Sequence, residues 1–199
     1  MAPPQTQHIE PDRGDALIIV DVQNDFLPGG NLAVPDGNAV IAPINHYIEI
    51  FHSKRLPIYS TRDWHPQDHC SFKQQGGIWP PHCIAGTRGA DFSAELNLPS
   101  DTIIISKATT RDKDAYSGFE GTTLDQQLHA KGIKRLFIGG LATDYCVLNT
   151  VKDAITYKYT VILLQDAIRP VNVHPDDGDQ AIQEMTRLGA MPVTQKIIL

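Results

Sequence analysis

Residues 15–26 read DALIIVDVQNDF, and residues 135–147 read RLFIGGLATDYCV. Each stretch is a short apolar run, rich in β-branched side chains, that ends in polar residues. This pattern is typical of a strand buried on both faces of a parallel sheet. Similar runs recur along the chain, and we predict six strands, at residues 16–20, 57–60, 102–106, 135–138, 160–164 and 191–194.

Helical patterns separate these strands. Ile41, Ile44, Ile48 and Phe51 recur at a spacing of three to four, which indicates one apolar helix face. Helices are predicted at residues 38–54, 122–130, 144–157 and 176–188. Alternation of strand and helix predicts an α/β fold, a three-layer sandwich with a mostly parallel six-stranded sheet flanked by helices. Ligands of such sheets bind beyond the carboxyl ends of the strands.

The chain of 199 residues suits one folded domain. We interpret residues 1–14, which are polar and contain prolines, as a loose N-terminal arm, and residues 15–199 as the domain. Residues 64–99 lack periodicity, and loops of this length inside compact domains are usually functional or disordered. Two Trp, three His and two Cys in this stretch argue against disorder.

Charge and composition exclude several classes of protein. A net charge of -6 without any basic stripe argues against a nucleic-acid partner. No apolar run approaches the roughly 20 residues that span a bilayer, and no leader pattern opens the chain, so we expect a cytoplasmic protein without a membrane partner. Three widely spaced cysteines indicate reduced thiols. Cys70 and Cys83 are assigned structural roles, with Cys83 packed behind a metal.

Two charged residues directly follow predicted strands. Asp21 follows the first strand, where one-sided desolvation favours the protonated form and suits a general base. The alternative is an Asp that caps the following turn. Lys107 follows the third strand, where its charge could stabilise an oxyanion or lower the pKa of a thiol. A solvated surface lysine is the alternative there.

A cluster of metal-binding residue types begins after the second strand. Asp63 and His65 follow that strand, and His69 and His82 lie in the long loop. Carboxylate and imidazole ligands suit Zn, Fe or Mn. Asp63, His65 and His82 would leave coordination positions open for water or substrate. Ordinary loop histidines with local hydrogen bonds are the alternative.

The stretch GGLATDYCV carries a candidate nucleophile. Gly139 and Gly140 end the predicted fourth strand, Thr143 or Asp144 can cap a helix, and Cys146 falls in its first turn. A thiol there experiences the positive end of the helix, and nearby backbone N–H groups can receive an oxyanion. A buried structural cysteine is the alternative. An acid, a metal cluster, a lysine and a thiol at one sheet edge favour acyl transfer.

Five motifs in this order and spacing resemble the nicotinamidases of the isochorismatase-like cysteine hydrolase superfamily. They are VDVQNDF, TRDWHP, WPPHC, the segment from Lys107 to SGFEG, and GLATDYCV. The resemblance covers residues 15–199. It implies a catalytic domain that hydrolyses nicotinamide to nicotinate and ammonia through a cysteine thioester, in NAD salvage, with pyrazinamide as a further substrate.

The resemblance also implies roles for individual residues. Asp21, Lys107 and Cys146 match the catalytic triad, and the backbone N–H groups of Ala142 and Cys146 match the oxyanion hole, with a cis peptide bond between Leu141 and Ala142. One divalent ion is expected, zinc first, with Fe or Mn as alternatives; its ligands are Asp63, His65 and His82, and His69 is a candidate further ligand. The substrate pocket is assigned to Phe26, Leu32, Trp79, Tyr116, Leu141 and Tyr145.

Two rival interpretations stay open. One is another hydrolase of the superfamily, such as an isochorismatase or a carbamoyl amidase, against which Asp63, His65 and His82 weigh together. The other is a non-catalytic zinc-binding or thiol-sensing module. Structural zinc sites are usually closed by four Cys or His ligands, so a set that contains a carboxylate weighs against it. The resemblance also favours a homo-oligomer, which the residues themselves do not decide.

Overall fold

Six parallel strands form one sheet in the computed structural model of this chain, which describes residues 8–198. The strands are β1 (Asp15–Val20), β2 (Ile58–Asp63), β3 (Ile103–Lys107), β4 (Arg135–Leu141), β5 (Thr160–Arg169) and β6 (Met191–Val193). Their order across the sheet is β3-β2-β1-β4-β5-β6, and every neighbouring pair is parallel. The predicted fold class is confirmed.

Helices cover both faces of the sheet. They are α1 (Ile41–Ser53), α2 (Leu124–Ala130), α3 (Leu148–Thr156) and α4 (Asp177–Leu188). Side chains alternate along β1, so Leu17 and Ile19 pack with α1, whereas Ile18 and Val20 pack with the other three helices. The central strand is therefore buried on both sides, as its continuous apolar sequence predicts.

Three strands end three or more residues later than predicted, and β3 ends one residue later. β4 continues through its glycines to Leu141, because only glycine allows the close approach to β1: a Cβ at Gly140 would lie 2.0 Å from the carbonyl oxygen of Val20. β5 continues to Arg169 because Ala167 and Ile168 return to the core after two polar residues. β2 continues to Asp63, so the strand itself delivers that carboxylate to the sheet edge.

The long segment 64–99 crosses the carboxyl edge of the sheet without a regular helix. Two single turns interrupt it, Lys73–Gln75 and Arg88–Ala90. Isolated bridges join His65 to Ile84 and Phe72 to Trp79 within the segment. Hydrogen bonds between backbone groups therefore hold this segment in place, although its sequence has neither helical nor strand periodicity.

The first and last of the described residues meet on one side of the sheet. Ile9 pairs with Ile198, and the N–H of Ile9 donates to the carbonyl of Ile197 at 2.7 Å. Residues 1–7 of the predicted N-terminal arm lie outside the described residues. Between residues 8 and 198, no helix combines the length and apolar character needed to cross a membrane.

Candidate active site

The ammonium of Lys107 is the centre of a buried charge cluster at the carboxyl edge of the sheet. Its Nζ lies 3.0 Å from Asp21 Oδ2, donates to Asp63 Oδ1, and lies 3.5 Å from Cys146 Sγ. It also donates to the carbonyl of Ala115 at 3.2 Å. Asp21, Asp63 and Cys146 thus converge on Lys107. This lysine is buried, so the alternative of a solvated surface lysine does not hold.

Asp21 is fully buried at the end of β1, and burial raises the pKa of its carboxyl group. The ammonium of Lys107 opposes this effect, as does the Thr61 hydroxyl, which donates to Oδ1 at 2.7 Å; the charge of Asp63 adds to it. The carboxylate thus faces Lys107 and Thr61. It does not cap the following turn, so that alternative is wrong. A carboxylate with a raised pKa is a competent proton acceptor.

Asp63 shares the same ammonium but shifts in the opposite direction. Burial favours its protonated form, yet Lys107 and His65 together outweigh burial, so the pKa of Asp63 is lowered. The two carboxylates also raise the pKa of Lys107, and their effect exceeds that of its burial. At neutral pH the site therefore contains a charged lysine, a firmly ionised Asp63, and Asp21 as the carboxylate that takes up a proton more readily.

Cys146 rests as a protonated thiol. Burial raises its pKa well above the ordinary value, and the lowering effect of Lys107 is outweighed by burial and the two carboxylates. One carboxylate oxygen of Asp21 lies within 4.8 Å of the sulfur of Cys146. Proximity to a lysine and a helix start therefore does not produce a free thiolate here, and the thiol requires a base before it can attack.

The turn that carries Cys146 is a π-helical segment, Thr143–Val147, which continues directly into α3. The expected cis peptide bond between Leu141 and Ala142 precedes it. The carbonyl of Ala142 accepts the N–H groups of Tyr145 and Val147, both at 3.1 Å. These bonds turn the chain so that both the Ala142 and Cys146 residues line the cavity described below.

The expectation that Thr143 or Asp144 caps the helix is wrong. Neither side chain makes a capping hydrogen bond. Asp144 instead accepts the backbone N–H groups of Val171 and Asn172, each at 2.9 Å. Its carboxylate therefore ties the turn of the nucleophile to the loop after β5.

Asp63, His65 and His82 form a buried cluster in which one ligand atom from each lies within 4.8 Å of the others. Nδ1 of His65 faces the carbonyl of Ala108 at 3.2 Å, and Nδ1 of His82 faces that of Pro80 at 2.8 Å. Because a carbonyl only accepts, both rings carry their proton on Nδ1. Their Nε2 lone pairs are then available, and this donor set fits a divalent metal ion.

A narrow cavity opens beside these groups, and its lining includes Cys146, the three candidate metal ligands and several aromatic side chains. Trp79 packs edge-on against Tyr145 with centroids 5.1 Å apart, and its indole N–H donates to the Tyr116 hydroxyl at 3.0 Å. Of the predicted walls, five line the cavity: Phe26, Leu32, Trp79, Tyr116 and Tyr145. Leu141 does not; its side chain is buried in the core.

Comparisons with known proteins show the family to which this chain belongs. The model of the isochorismatase domain matches residues 15–197. This chain belongs to the isochorismatase family. Within it, the nicotinamidase of Escherichia coli is 36% identical over 196 residues, covering 88% of this chain and 92% of that protein.

Two solved structures of the isochorismatase family resemble this fold closely. The pyrazinamidase of Pyrococcus horikoshii, in complex with zinc, has a TM-score of 0.88 and 48% identity, with 91% of this chain and 99% of that chain covered. A protein of L. infantum in complex with nicotinate has a TM-score of 0.87 and 35% identity, with 94% and 96% covered.

His69 lies beside the metal cluster of this isochorismatase-family chain but outside it. Its ring stacks on His65 with centroids 4.1 Å apart. Both ring nitrogens already have partners, Nδ1 the hydroxyl of Ser71 at 2.8 Å and Nε2 the carbonyl of Lys113 at 3.2 Å. The structure therefore places His69 behind His65, with no free lone pair directed at a metal.

Gln23 is a site residue that sequence reasoning missed. Its side chain donates to the carbonyl of Asp63 at 2.8 Å and to that of Ala90 at 2.9 Å, and it accepts the N–H of Asp63 at 2.8 Å. The buried amide thus fixes the backbone of a candidate metal ligand. A polar residue two positions after Asp21 in a strand-end motif is the only signal, and it does not distinguish a buried clamp from a loop residue.

The cavity also has walls that the sequence did not indicate. Val171 comes from the loop after β5, whose end lies five residues beyond the predicted one. No local pattern reveals that this loop returns to the site, because Asp144 draws it there from a distant part of the chain. The remaining unpredicted wall residues are Val34, Ser71, Asp114 and Ala115.

Proposed function

We propose that this protein is a metal-dependent amidase that hydrolyses nicotinamide to nicotinate and ammonia through a thioester on Cys146. The observation that carries the proposal is the convergence of two buried sets on one aromatic-walled cavity. One set is Asp21, Lys107 and Cys146. The other is Asp63, His65 and His82. A thiol, a base, a cation and a metal cluster together suit acyl transfer from a small carboxamide.

The cavity suits a planar six-membered ring. Trp79, Tyr116 and Tyr145 form one aromatic wall, and Phe26 packs against His82 with centroids 5.6 Å apart. An aromatic pocket with a few convergent polar groups is typical of small-molecule sites. Such walls would hold the ring so that its carboxamide reaches Cys146, and this positioning supplies part of the rate.

Asp63, His65 and His82 would hold one divalent ion. Such an ion would supply a Lewis acid for the nitrogen of a pyridine ring. Zinc is our first choice, because the donor set suits it and a related pyrazinamidase was solved with zinc. Asp and His ligands also accept Fe or Mn, which we keep as alternatives.

In the first half of the reaction, Asp21 takes the proton of Cys146 and the sulfur attacks the carboxamide carbon. The carbonyl oxygen becomes an oxyanion, for which the backbone N–H groups of Ala142 and Cys146 are the proposed donors. The ammonium of Lys107 keeps the cluster from accumulating uncompensated negative charge. Collapse of the tetrahedral species breaks the C–N bond, and the proton on Asp21 leaves with ammonia.

In the second half, the ionised Asp21 removes a proton from water, and the resulting hydroxide attacks the thioester carbon. The same N–H groups receive the second oxyanion. The C–S bond then breaks, the proton held by Asp21 returns to the sulfur, and the product leaves as nicotinic acid, which loses its proton to solvent to give nicotinate. Asp21 thus acts twice as acceptor and twice as donor, which its raised pKa favours.

Several expectations accompany this proposal. We propose residues 15–199 as one catalytic domain, in line with the family match over residues 15–197. A role in NAD salvage, a cytoplasmic location, a homo-oligomeric state and activity on pyrazinamide stay predictions. So does the absence of nucleic acid among the partners, which the acidic net charge of -6 supports.

The direct test compares nicotinamide with benzamide, an amide of the same shape without the ring nitrogen. We expect ammonia release from nicotinamide and pyrazinamide, and a kcat/KM for benzamide lower by on the order of 100-fold, since a site built for a polar partner discriminates against its absence. Equal rates on the two amides would contradict recognition of the ring nitrogen. Release from carbamoyl amides alone would favour the rival hydrolases.

A further inference from the structure

A further buried carboxylate, Asp25, lies next to the site and takes no part in the chemistry above. Its exposed fraction is 6%. Oδ2 accepts the backbone N–H of Cys83 at 2.7 Å, and Oδ1 accepts that of Asn31 at 3.1 Å. The carboxylate therefore joins two irregular segments that are 52 residues apart along the chain, counted from Asn31 to Cys83.

The first of these segments, which contains Cys83, carries the candidate metal ligand His82 and pairs with the backbone of His65. Cys83 directly follows His82, and its carbonyl accepts the N–H of His65 at 3.0 Å. The N–H of Ala85 in turn donates to the carbonyl of His65 at 2.8 Å. Through the single residue Cys83, Asp25 is thus connected to both histidines of the cluster.

The conformation of Cys83 requires such support. Its φ is 45°, in the left-handed region that side chains other than glycine rarely adopt. Conformations of this kind persist where the surroundings fix them. Asp25 on the N–H and His65 on the carbonyl fix both sides of this residue.

The second segment, which contains Asn31, carries two residues that line the cavity, Phe26 and Leu32. The backbone carbonyl of Asp25 accepts the N–H of Leu32 at 2.9 Å, and the neighbouring Phe26 packs on His82. Within residues 8–198, Asp25 forms no ion pair with Lys or Arg. Its buried charge is instead stabilised by backbone N–H donors, and hydrogen bonds to an ionised acceptor are about twice as strong as neutral ones.

We infer that Asp25 is a positioning residue that sets the relative placement of His82, His65 and the Phe26–Leu32 wall, and thereby the affinity for the metal. This inference rests on the metal site of the proposed function. Space around the carboxylate is tight: a Cβ at Gly89 would lie 2.1 Å from Asp25 Oδ2. The side chain therefore has little freedom to find other partners.

Asp25→Asn tests the inference, since the amide nitrogen cannot accept and one of the two backbone N–H groups loses its partner. The matched control is Asp144→Asn, which removes the same kind of double acceptor at the Val171 loop, away from the metal ligands. Zinc affinity of metal-stripped protein is measured by competition with a chromophoric chelator. We expect a loss of about 10- to 100-fold for Asp25→Asn, as for other groups that orient metal ligands, and a change within about twofold for Asp144→Asn.

Thermal unfolding of the metal-free variants separates positioning from general stability. The inference would be overturned if Asp25→Asn bound zinc as tightly as the wild type does, while the unfolding temperatures of Asp25→Asn and Asp144→Asn fell equally. Equal losses of zinc affinity in the two variants would do the same. If Asp25→Asn does not fold, Gly89→Ala displaces the carboxylate without removing it and is expected to weaken zinc binding similarly; unchanged affinity there overturns the inference. If the wild-type protein takes up no zinc, the metal site of the proposed function is contradicted. The variants test only the role of Asp25 at that site.

Discussion

The candidate active site has two halves that are built in different ways. In the strand-end half, Asp21, Lys107 and Cys146 contact one another side chain to side chain, and Asp63 shares the lysine. In the loop half, which contains His82, Trp79 and the Phe26–Leu32 wall, position depends on backbone hydrogen bonds between irregular segments. The sheet dictates the first half, whereas a few buried polar side chains determine the second.

The two halves therefore have different roles: the strand-end half would carry out the reaction, and the loop half would recognise the substrate. The strand-end half contains all the groups that would move protons or form the thioester. The loop half contains ring walls and one metal ligand, and its tethers include Asp25 and Gln23. Substitutions in the first half should therefore reduce kcat, whereas substitutions in the second should change KM or metal affinity first.

The largest effect is expected from Cys146→Ala. Removal of the nucleophile should lower kcat for nicotinamide by on the order of 10⁵-fold or more, as in other enzymes whose nucleophile acts as part of a unit. Zinc content should stay at the wild-type level, because Cys146 belongs to the strand-end half. Steady-state ammonia release and metal analysis on the same preparation measure both. Retained turnover would rule out the thioester.

Asp21→Asn should reduce kcat by about 10²- to 10⁴-fold, the range for loss of a general base. Asparagine keeps the shape and the contact with Thr61 but cannot take the thiol proton. Zinc affinity serves as the control and should be unchanged. A fall in metal binding larger than the fall in kcat would show that the two halves are not separable in this way.

His82→Ala probes the loop half. Loss of one of three ligands should weaken zinc binding by about 100-fold, with activity partly restored by excess zinc, since the strand-end half stays intact. His69→Ala is the matched histidine control, because His69 stacks behind His65 and both of its nitrogens have protein partners. We expect it to lose less than about tenfold in zinc affinity. Equal losses would make His69 a ligand.

The pH dependence of kcat/KM compares the two carboxylates within the strand-end half. Asp21 must be ionised to act as a base, and its raised pKa moves the acid limb above the ordinary Asp range. Activity should therefore fall about tenfold per unit as the pH drops through that pKa. Asp63, with its pKa lowered, stays ionised through this range. With metal occupancy verified at each pH, an acid limb at or below the ordinary Asp pKa would contradict the assignment.

The smallest effect is expected from Tyr116→Phe, which removes the acceptor for the indole N–H of Trp79. KM should rise by about 3- to 10-fold with little change in kcat, because one hydrogen bond at a partly exposed wall contributes about 1 kcal/mol. Tyr145→Phe is the control, since the Tyr145 hydroxyl makes no side-chain hydrogen bond in the described part of the chain. A larger effect of the control would shift the recognition role to Tyr145.

The two halves also differ in how far the sequence predicts them. Asp21, Asp63 and Lys107 could be found because each lies at or shortly after the end of a predicted strand, and parallel strands gather their carboxyl ends at one edge. His82 carries no positional signal of this kind and entered only through its residue type and the family resemblance. Val171 was missed because its place depends on the distant carboxylate of Asp144. Non-local hydrogen bonds leave no periodic trace in a sequence.

Ammonia release from nicotinamide by the purified protein, before and after chelation and with zinc added back, tests most directly whether the two halves act together. We expect release that is lost on metal removal and restored by zinc, and no release from zinc-loaded Cys146→Ala. Release that persists after verified metal removal would contradict the role of Asp63, His65 and His82. Absence of release from folded, zinc-loaded wild-type protein would contradict the proposed function itself.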